Sequence, residues 1–250
     1  MSRSPALTDK VAVILGGSGG IGAAAAKLFA DEGATVVVTY RSDKAGAEAL
    51  VASLPGKGHL AAPAIMEDSS SLQGLAGLVE SKLGRTDILV NSAGYTKPVP
   101  AGDLEGLTDD FIDEMMRVNF RGQFAAIRIF RKLLDASGDG LVINVSSLAA
   151  QTGQGSNIAY AGAKAALDSM SKGLARALAP AIRVMTVSPG AVDTDFVPGR
   201  GAEQLAKIAP TIPLKRVATV DDCAKAIVAC ATHLPYSTGS IILVEGGRAL

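Results

Sequence analysis

The sequence has little with which to bind a metal or cross-link itself. Its 250 residues include two cysteines, Cys223 and Cys230, and two histidines, His59 and His233. Seven residues apart in a predicted helix, the cysteines share a face but sit about two turns, roughly 10 Å, from each other. That separation excludes a disulfide between them, and with two distant histidines they fit no familiar zinc spacing. No apolar run reaches 18 residues and no charged-then-apolar leader precedes the first strand, so neither a membrane span nor a secretion signal is expected, and the expected location is the cytoplasm. Net charge is also missing, because 24 basic residues cancel 24 acidic ones. Without a basic surface, nucleic acid and anionic lipid are poor partners, which leaves a small molecule as the expected ligand.

Apolar residues make up 48% of the chain and glycines number 28, enough for one large α/β domain spanning 1–250. Apolar, β-branched runs alternate with helical patterns throughout: Val11 to Leu15, Thr35 to Tyr40, a run near His59 to Ile65, Asp87 to Asn91, Leu141 to Val145, Ile182 to Val187 and Ser240 to Val244. Between them lie helical stretches, including a long one near Thr108 to Leu134 and others near Asn157 to Leu178 and Val220 to Ala231. Strands without polar alternation are buried on both faces, so the expected fold is a parallel sheet covered by helices on both sides. Met1 to Asp9 reads as a loosely held lead-in. Asp195 to Thr219, with three prolines and no strand partner, reads as a substrate lid.

Directly after the first strand comes Gly16-Gly17-Ser18-Gly19-Gly20-Ile21-Gly22, running into the helix formers Ala23 to Phe29. Glycines let the backbone turn sharply and approach a pyrophosphate, while the following helix N-terminus offers free N–H groups and partial positive charge. The second strand ends Thr39-Tyr40-Arg41-Ser42, with no carboxylate until Asp43. A carboxylate there would bind the adenosine ribose of NAD. Arg41 can instead fork onto a 2′-phosphate and Ser42 can add a hydrogen bond, so NADP(H) is favoured and NAD(H) stays open.

Ser147 follows the fifth strand; Tyr160 stands 13 residues later and Lys164 four beyond that. The last two therefore share a helix face. Singly, each has an ordinary explanation as packing residue, cap or solvated charge; their joint spacing points to chemistry. A free tyrosine, with a pKa of about 10, is a poor acid or base at neutral pH. An adjacent ammonium, together with the positive ring of an oxidised nicotinamide, is expected to lower that value. Ser147, at the carboxyl end of a parallel strand, can donate to a substrate oxygen on which charge develops.

With these motifs the sequence resembles the short-chain dehydrogenase/reductase family, in its branch of about 250 residues, over nearly its whole length. The family's Thr-Gly-x-x-x-Gly-x-Gly matches at Gly16, Gly20 and Gly22, with Leu15 in place of the threonine. Asn91-Ser92-Ala93-Gly94 stands for Asn-Asn-Ala-Gly, and Ile65-Met66 for the Asp-Val pair that contacts adenine. The resemblance implies a Rossmann-like sheet of seven parallel strands in order 3-2-1-4-5-6-7. It also implies a catalytic set of Asn119, Ser147, Tyr160 and Lys164, in which Asn119 holds a water linking Lys164 to solvent. Cofactor contacts are implied at Ser18, Ile21, Asn91, Ala93, Gly94, Pro189, Gly190, Val192 and Thr194, as well as at the glycines, Tyr160 and Lys164. The implied reaction is hydride transfer between NADP(H) and a carbonyl or secondary alcohol. The helix Phe111 to Leu134 carries Phe111, Met115, Met116, Phe120, Phe124, Ile127, Phe130 and Leu134, more apolar surface than one sheet face needs, and the resemblance implies that it pairs with the helix Asn157 to Leu178 in a homotetramer. Reductases of 3-oxoacyl-carrier-protein thioesters share the pattern, but Asp135 to Gly140 offers no basic residue for a carrier. A non-catalytic NADP-binding regulator is the rival of another class, and the complete catalytic set argues against it.

Overall fold

The computed structural model describes residues 6–250; the first five positions of the lead-in lie outside the described residues. Seven strands, β1 (Val11–Leu15), β2 (Thr35–Tyr40), β3 (Leu60–Pro63), β4 (Ile88–Asn91), β5 (Gly140–Val145), β6 (Ile182–Pro189) and β7 (Ile241–Val244), form one sheet in order β3-β2-β1-β4-β5-β6-β7. All pairings are parallel, with Val13 opposite Val37 on one side and Leu89 on the other. The order expected from the family resemblance is the order found.

Alternate residues of each strand feed two separate cores, because successive side chains point to opposite faces. Ile14, Val38, Val90 and Ile143 pack with α1 (Gly20–Asp31), α2 (Lys44–Ser53) and α9 (Val220–Thr232), where Phe29 and Ile227 are fully buried. Val13, Val37, Leu89 and Val142 pack on the other face against α3 (Ser69–Leu83), α5 (Gly122–Ala136) and α7 (Ile158–Leu178), around Phe130 and Leu72. Truncating a side chain buried like Phe130 to alanine typically costs about 3–5 kcal/mol. Local signals set the helix ends: Asp68 accepts from Ser70 N and Gly84 turns left-handed (φ 72°) at the two ends of α3, and Thr219 with Asp222 forms a capping box on α9. Cys223 and Cys230 are buried and unbridged, as their spacing implied.

Three expectations need correction. The long helix is two, α4 (Asp109–Met116) and α5, joined by a π turn at Arg117–Arg121 that apolar periodicity cannot show. That helix also has less spare apolar surface than its composition implied. Met115, Ile127, Phe130 and Leu134 are at most 2% exposed and fill the interior, leaving Phe124 (40%) and Ile112 (39%) outside. The expected lid is not without strand pairing: Ala218 bridges Val192, with Asp193 N–H donating to Ala218 O (3.0 Å) and Ala218 N–H to Ala191 O (2.9 Å), which clips the insertion at its base. Between its ends lie α8 (Ala202–Ile208) and a short 3₁₀ turn; a four-residue helix, α6 (Ala149–Thr152), follows β5.

Candidate active site

A cleft of about 1080 Å³ opens along the carboxyl ends of the strands, where the strand order reverses between β1 and β4 and where such sheets bind ligands. At one end the glycine loop leaves β1. Gly16 has φ +74°, and a Cβ there would lie 2.7 Å from Ala93 Cα; a Cβ on Gly22 would overlap the Gly16 carbonyl. Side chains at either position would push the loop off the strand ends. The buried Thr39 ties the loop down, its Oγ1 accepting from Gly16 N (3.0 Å) and its carbonyl from Ser18 N (3.1 Å). Helix α1 has no side-chain cap at Gly19 and no acidic residue in its first turn, so its positive end is free for an anion. The backbone and charge pattern therefore fit a dinucleotide pyrophosphate.

Arg41 lines the same end, 66% exposed, with its guanidinium 2.7 Å from the Glu67 carboxylate. Of the other residues expected to touch a cofactor, Ser18, Gly20, Ile21, Ala93, Gly94, Pro189, Gly190, Val192 and Thr194 also face the cleft. Gly22, Ser42, Asn91 and Asn119 do not. Gly22 is packed under the loop, and Ser42 sits in an exposed turn with its carbonyl accepting from Lys44 N. Asn91 Nδ2 donates sideways to Asn144 Oδ1 (2.7 Å) and Asn144 Nδ2 donates in turn to Ser171 Oγ (2.8 Å), a chain that locks β4, β5 and α7 together.

At the other end β5 delivers Ser147 and α7 delivers Tyr160 and Lys164. Asn157 caps α7, its Oδ1 accepting from Tyr160 N (2.6 Å) while its amide donates to Thr96 Oγ1 and Lys97 O. Tyr160 is thus positioned on the first turn of a rigid helix. Lys164, one turn further, is 3% exposed; its Nζ donates to Val145 O (2.8 Å) and lies 5.8 Å from the Tyr160 ring centroid. Ser147 Oγ accepts from Ala149 N (3.2 Å), and its hydroxyl is near enough to the phenol to favour ionisation. Phe196, from the lid, tilts over Tyr160 with ring centroids 5.9 Å apart.

Burial governs the electrostatics. Desolvation pushes the Tyr160 phenol up to about 12, with the Ser147 hydroxyl and the Arg200 charge pulling the other way. Burial also pulls Lys164 down to about 8, resisted by Asp168. Lowering of the phenol by Lys164 is therefore not what the free protein shows: the ammonium is turned towards Val145 O, and loss of hydration outweighs attraction. Asp168, one turn beyond Lys164, is itself raised, chiefly by burial.

Residues 16–249 match the family model described as "Enoyl-(Acyl carrier protein) reductase". The chain belongs to the short-chain dehydrogenase/reductase family. It is 34% identical over 259 residues to 2,3-dihydro-2,3-dihydroxybenzoate dehydrogenase of Bacillus subtilis (98% of this chain, 97% of that protein). It is 33% identical over 252 residues to D-threitol dehydrogenase of Mycolicibacterium smegmatis (98% and 94%). Among solved structures, a dehydrogenase/reductase from Sinorhizobium meliloti superimposes with a TM-score of 0.88 at 36% identity, covering 99% of this chain and 98% of that one. The chain is accordingly an oxidoreductase acting on carbonyl or alcohol groups, and the short-chain dehydrogenase/reductase family uses NAD(H) or NADP(H).

Of two departures from that family pattern, the first has visible compensation and the second has none. Leu15, in place of a threonine, is fully buried in the α3/α5 core while Thr39 supplies the loop anchor. Met66 lines the cleft where an aspartate was expected nearby, and Asp68 is used up as the cap of α3. The Asn119 side chain is also committed: its amide donates to Tyr95 O (2.9 Å) and Met115 O (3.1 Å), and its Oδ1 accepts from Tyr95 N (3.2 Å). Through these bonds the side chain holds the loop after β4. Thr39, Gln123 (donating to Ala93 O, 2.6 Å), Asn144, Asn157 and Arg200 were not singled out from sequence. Asp168 was recoverable, lying four residues from Lys164 on the same helix face.

No helix among the described residues is long and apolar enough to cross a membrane, and none of their acidic, histidine and cysteine side chains cluster to hold a metal ion.

Proposed function

We propose that the chain is an NADP(H)-dependent reductase of small-molecule ketones or dehydrogenase of the corresponding secondary alcohols, with Tyr160, Ser147 and Lys164 as catalytic residues. The observation that carries this reading is the convergence of buried Tyr160 and Lys164 with the partly buried Ser147 in the same cleft as a pyrophosphate-shaped glycine loop. Bound nicotinamide supplies or accepts the hydride. Gly16, Ser18, Gly20 and Ile21 would hold its pyrophosphate, Arg41 the 2′-phosphate, Pro189 to Thr194 the nicotinamide edge and Lys164 the adjoining ribose.

In the reductive direction the substrate oxygen sits between Ser147 and Tyr160. The phenol, kept neutral by its burial, donates its proton as negative charge develops on that oxygen, while the Ser147 hydroxyl donates a second hydrogen bond. Lys164, near its titration point at neutral pH, stabilises the phenolate left behind when charged. Phe196 and the lid shield the site from water. The two relatives named above act on a ring carboxylate and a polyol, so names alone select no substrate. A panel of ketones, aldehydes and acyl thioesters assayed for NADPH and NADH oxidation tests this reading, which predicts turnover of ketones with a lower KM for NADPH. A wild type preferring NADH tenfold makes Arg41 a bystander; no turnover of any carbonyl refutes catalysis.

A homotetramer is part of the same proposal, with Ile112, Phe124 and Ile158 as the exposed apolar side chains on α4, α5 and α7. Light scattering at micromolar concentration should give about four times the 25.3 kDa chain mass, and a monomer mass would overturn it.

A further inference from the structure

We infer that the substrate carries a carboxylate, gripped by Arg200 and Arg248 while its carbonyl meets Tyr160 and Ser147; this rests on the redox reading above and names its substrate class. Arg200 comes from the lid insertion and lines the cleft. Its Nη2 donates to Val192 O (3.1 Å), which fixes the guanidinium, but its Nε is enclosed and has no hydrogen-bond partner. An enclosed N–H left unpaired in a charged group is costly, and the rest of the guanidinium has Val192 O as its one hydrogen-bond partner, so its Nη edge is where an anion in the cleft can be met. Arg248, from the chain's C-terminal end, lines the same cleft.

Among the described residues neither arginine forms an ion pair. Asp193 is near enough to favour the Arg200 charge, and Asp195 lines the cleft beside it, but both are exposed at the mouth and neither lies within ion-pair distance. The two guanidinium charges oppose each other, and burial further disfavours that of Arg200. An anion placed between them removes both penalties at once, and a planar carboxylate suits the forked N–H geometry of arginine. The position also separates this site from the cofactor's phosphates: Arg200 acts electrostatically on Tyr160, at the reacting end, whereas Arg41 and the glycine loop occupy the other. Phe196, packed against Tyr160, supplies an apolar wall for the carbon skeleton between carbonyl and carboxylate.

The test pairs ketoacids with their neutral esters, using NADPH: pyruvate, acetoacetate, levulinate and 4-oxocyclohexanecarboxylate, each against its methyl ester. Calorimetry of cyclohexanecarboxylate and of its uncharged amide on the wild type adds a readout independent of turnover. The expected result is at least one ketoacid favoured over its ester by about tenfold or more in kcat/KM, the scale of one charge-assisted contact. That ratio should fall about tenfold in Arg200→Met and recover in part in Arg200→Lys, and the carboxylate should bind where the amide does not. Esters turned over as well as their acids throughout, or a ratio unmoved by Arg200→Met, would overturn the inference while leaving the redox reading intact. Carboxylate binding that depends on Arg200 in a protein that reduces no ketone would do the reverse, sinking the redox reading and keeping the anion site.

Discussion

The Tyr160 phenol should remain protonated in the free protein far above the pH at which an ordinary tyrosine ionises. The side chain is 7% exposed, and desolvation moves its pKa from about 10 to about 12. That displacement favours the neutral phenol by about 3 kcal/mol, as an order of magnitude. The chain has four tyrosines and no tryptophan, so phenolate absorbance can be followed without indole background. A pH titration of the wild type minus that of Tyr160→Phe isolates one residue. The difference should be flat up to about pH 10 and rise only towards pH 12. The sign for stability follows: with the folded pKa above the unfolded one, the contribution is fully present below about pH 10 and is lost as pH rises through about 12. A difference spectrum already titrating at or below pH 9 would refute the dominance of burial and restore the view that Lys164 acidifies the phenol unaided.

Turnover should fall at least about 10²-fold in Tyr160→Phe with the KM for cofactor nearly unchanged, since the ring still packs on Phe196 and only the proton carrier is lost; steady-state kinetics retaining more than a tenth of the wild-type rate would remove Tyr160 from the mechanism. Arg41→Asp should shift preference from NADPH towards NADH, because it deletes the phosphate partner and sets a second carboxylate beside Glu67; the ratio of the two KM values reads the outcome. Asp87→Ala should lower the urea midpoint at unchanged m-value by about 1–3 kcal/mol of stability, because the buried Asp87 carboxylate accepts from Val11 N (2.9 Å) and pairs with Arg85 and Lys10. An unaltered midpoint would mean that the half-exposed cations contribute nothing and that water replaces the lost acceptor.

What was legible in the sequence was what depends on local periodicity. Val11 to Leu15 and Thr35 to Tyr40 read directly as buried strands. The four-residue step from Tyr160 to Lys164 shares a face in any α-helix, and a glycine cluster between a strand and a helix has few other uses. Groups whose partners come from distant segments were not legible: Thr39 holding the loop of β1, Gln123 reaching Ala93, and Asn144 standing between Asn91 and Ser171. The π turn at Arg117–Arg121 was invisible because one extra residue in a turn leaves the apolar pattern almost unchanged. Phe130 and Leu134 were misjudged as spare surface for the reason that periodicity shows a face is apolar without showing what covers it. Spacing reveals a charge near Tyr160 but not the loss of water around it.

The central claim is hydride transfer at the Tyr160 end of the cleft. Reduction of a turned-over ketone with NADPH carrying deuterium at the transferable position, followed by mass spectrometry of the alcohol, tests it most directly. The expected result is one deuterium on the carbinol carbon in the wild type and no deuterated alcohol above background from Tyr160→Phe in the same time. Alcohol formed without the label, or labelled alcohol formed equally by Tyr160→Phe, would contradict it.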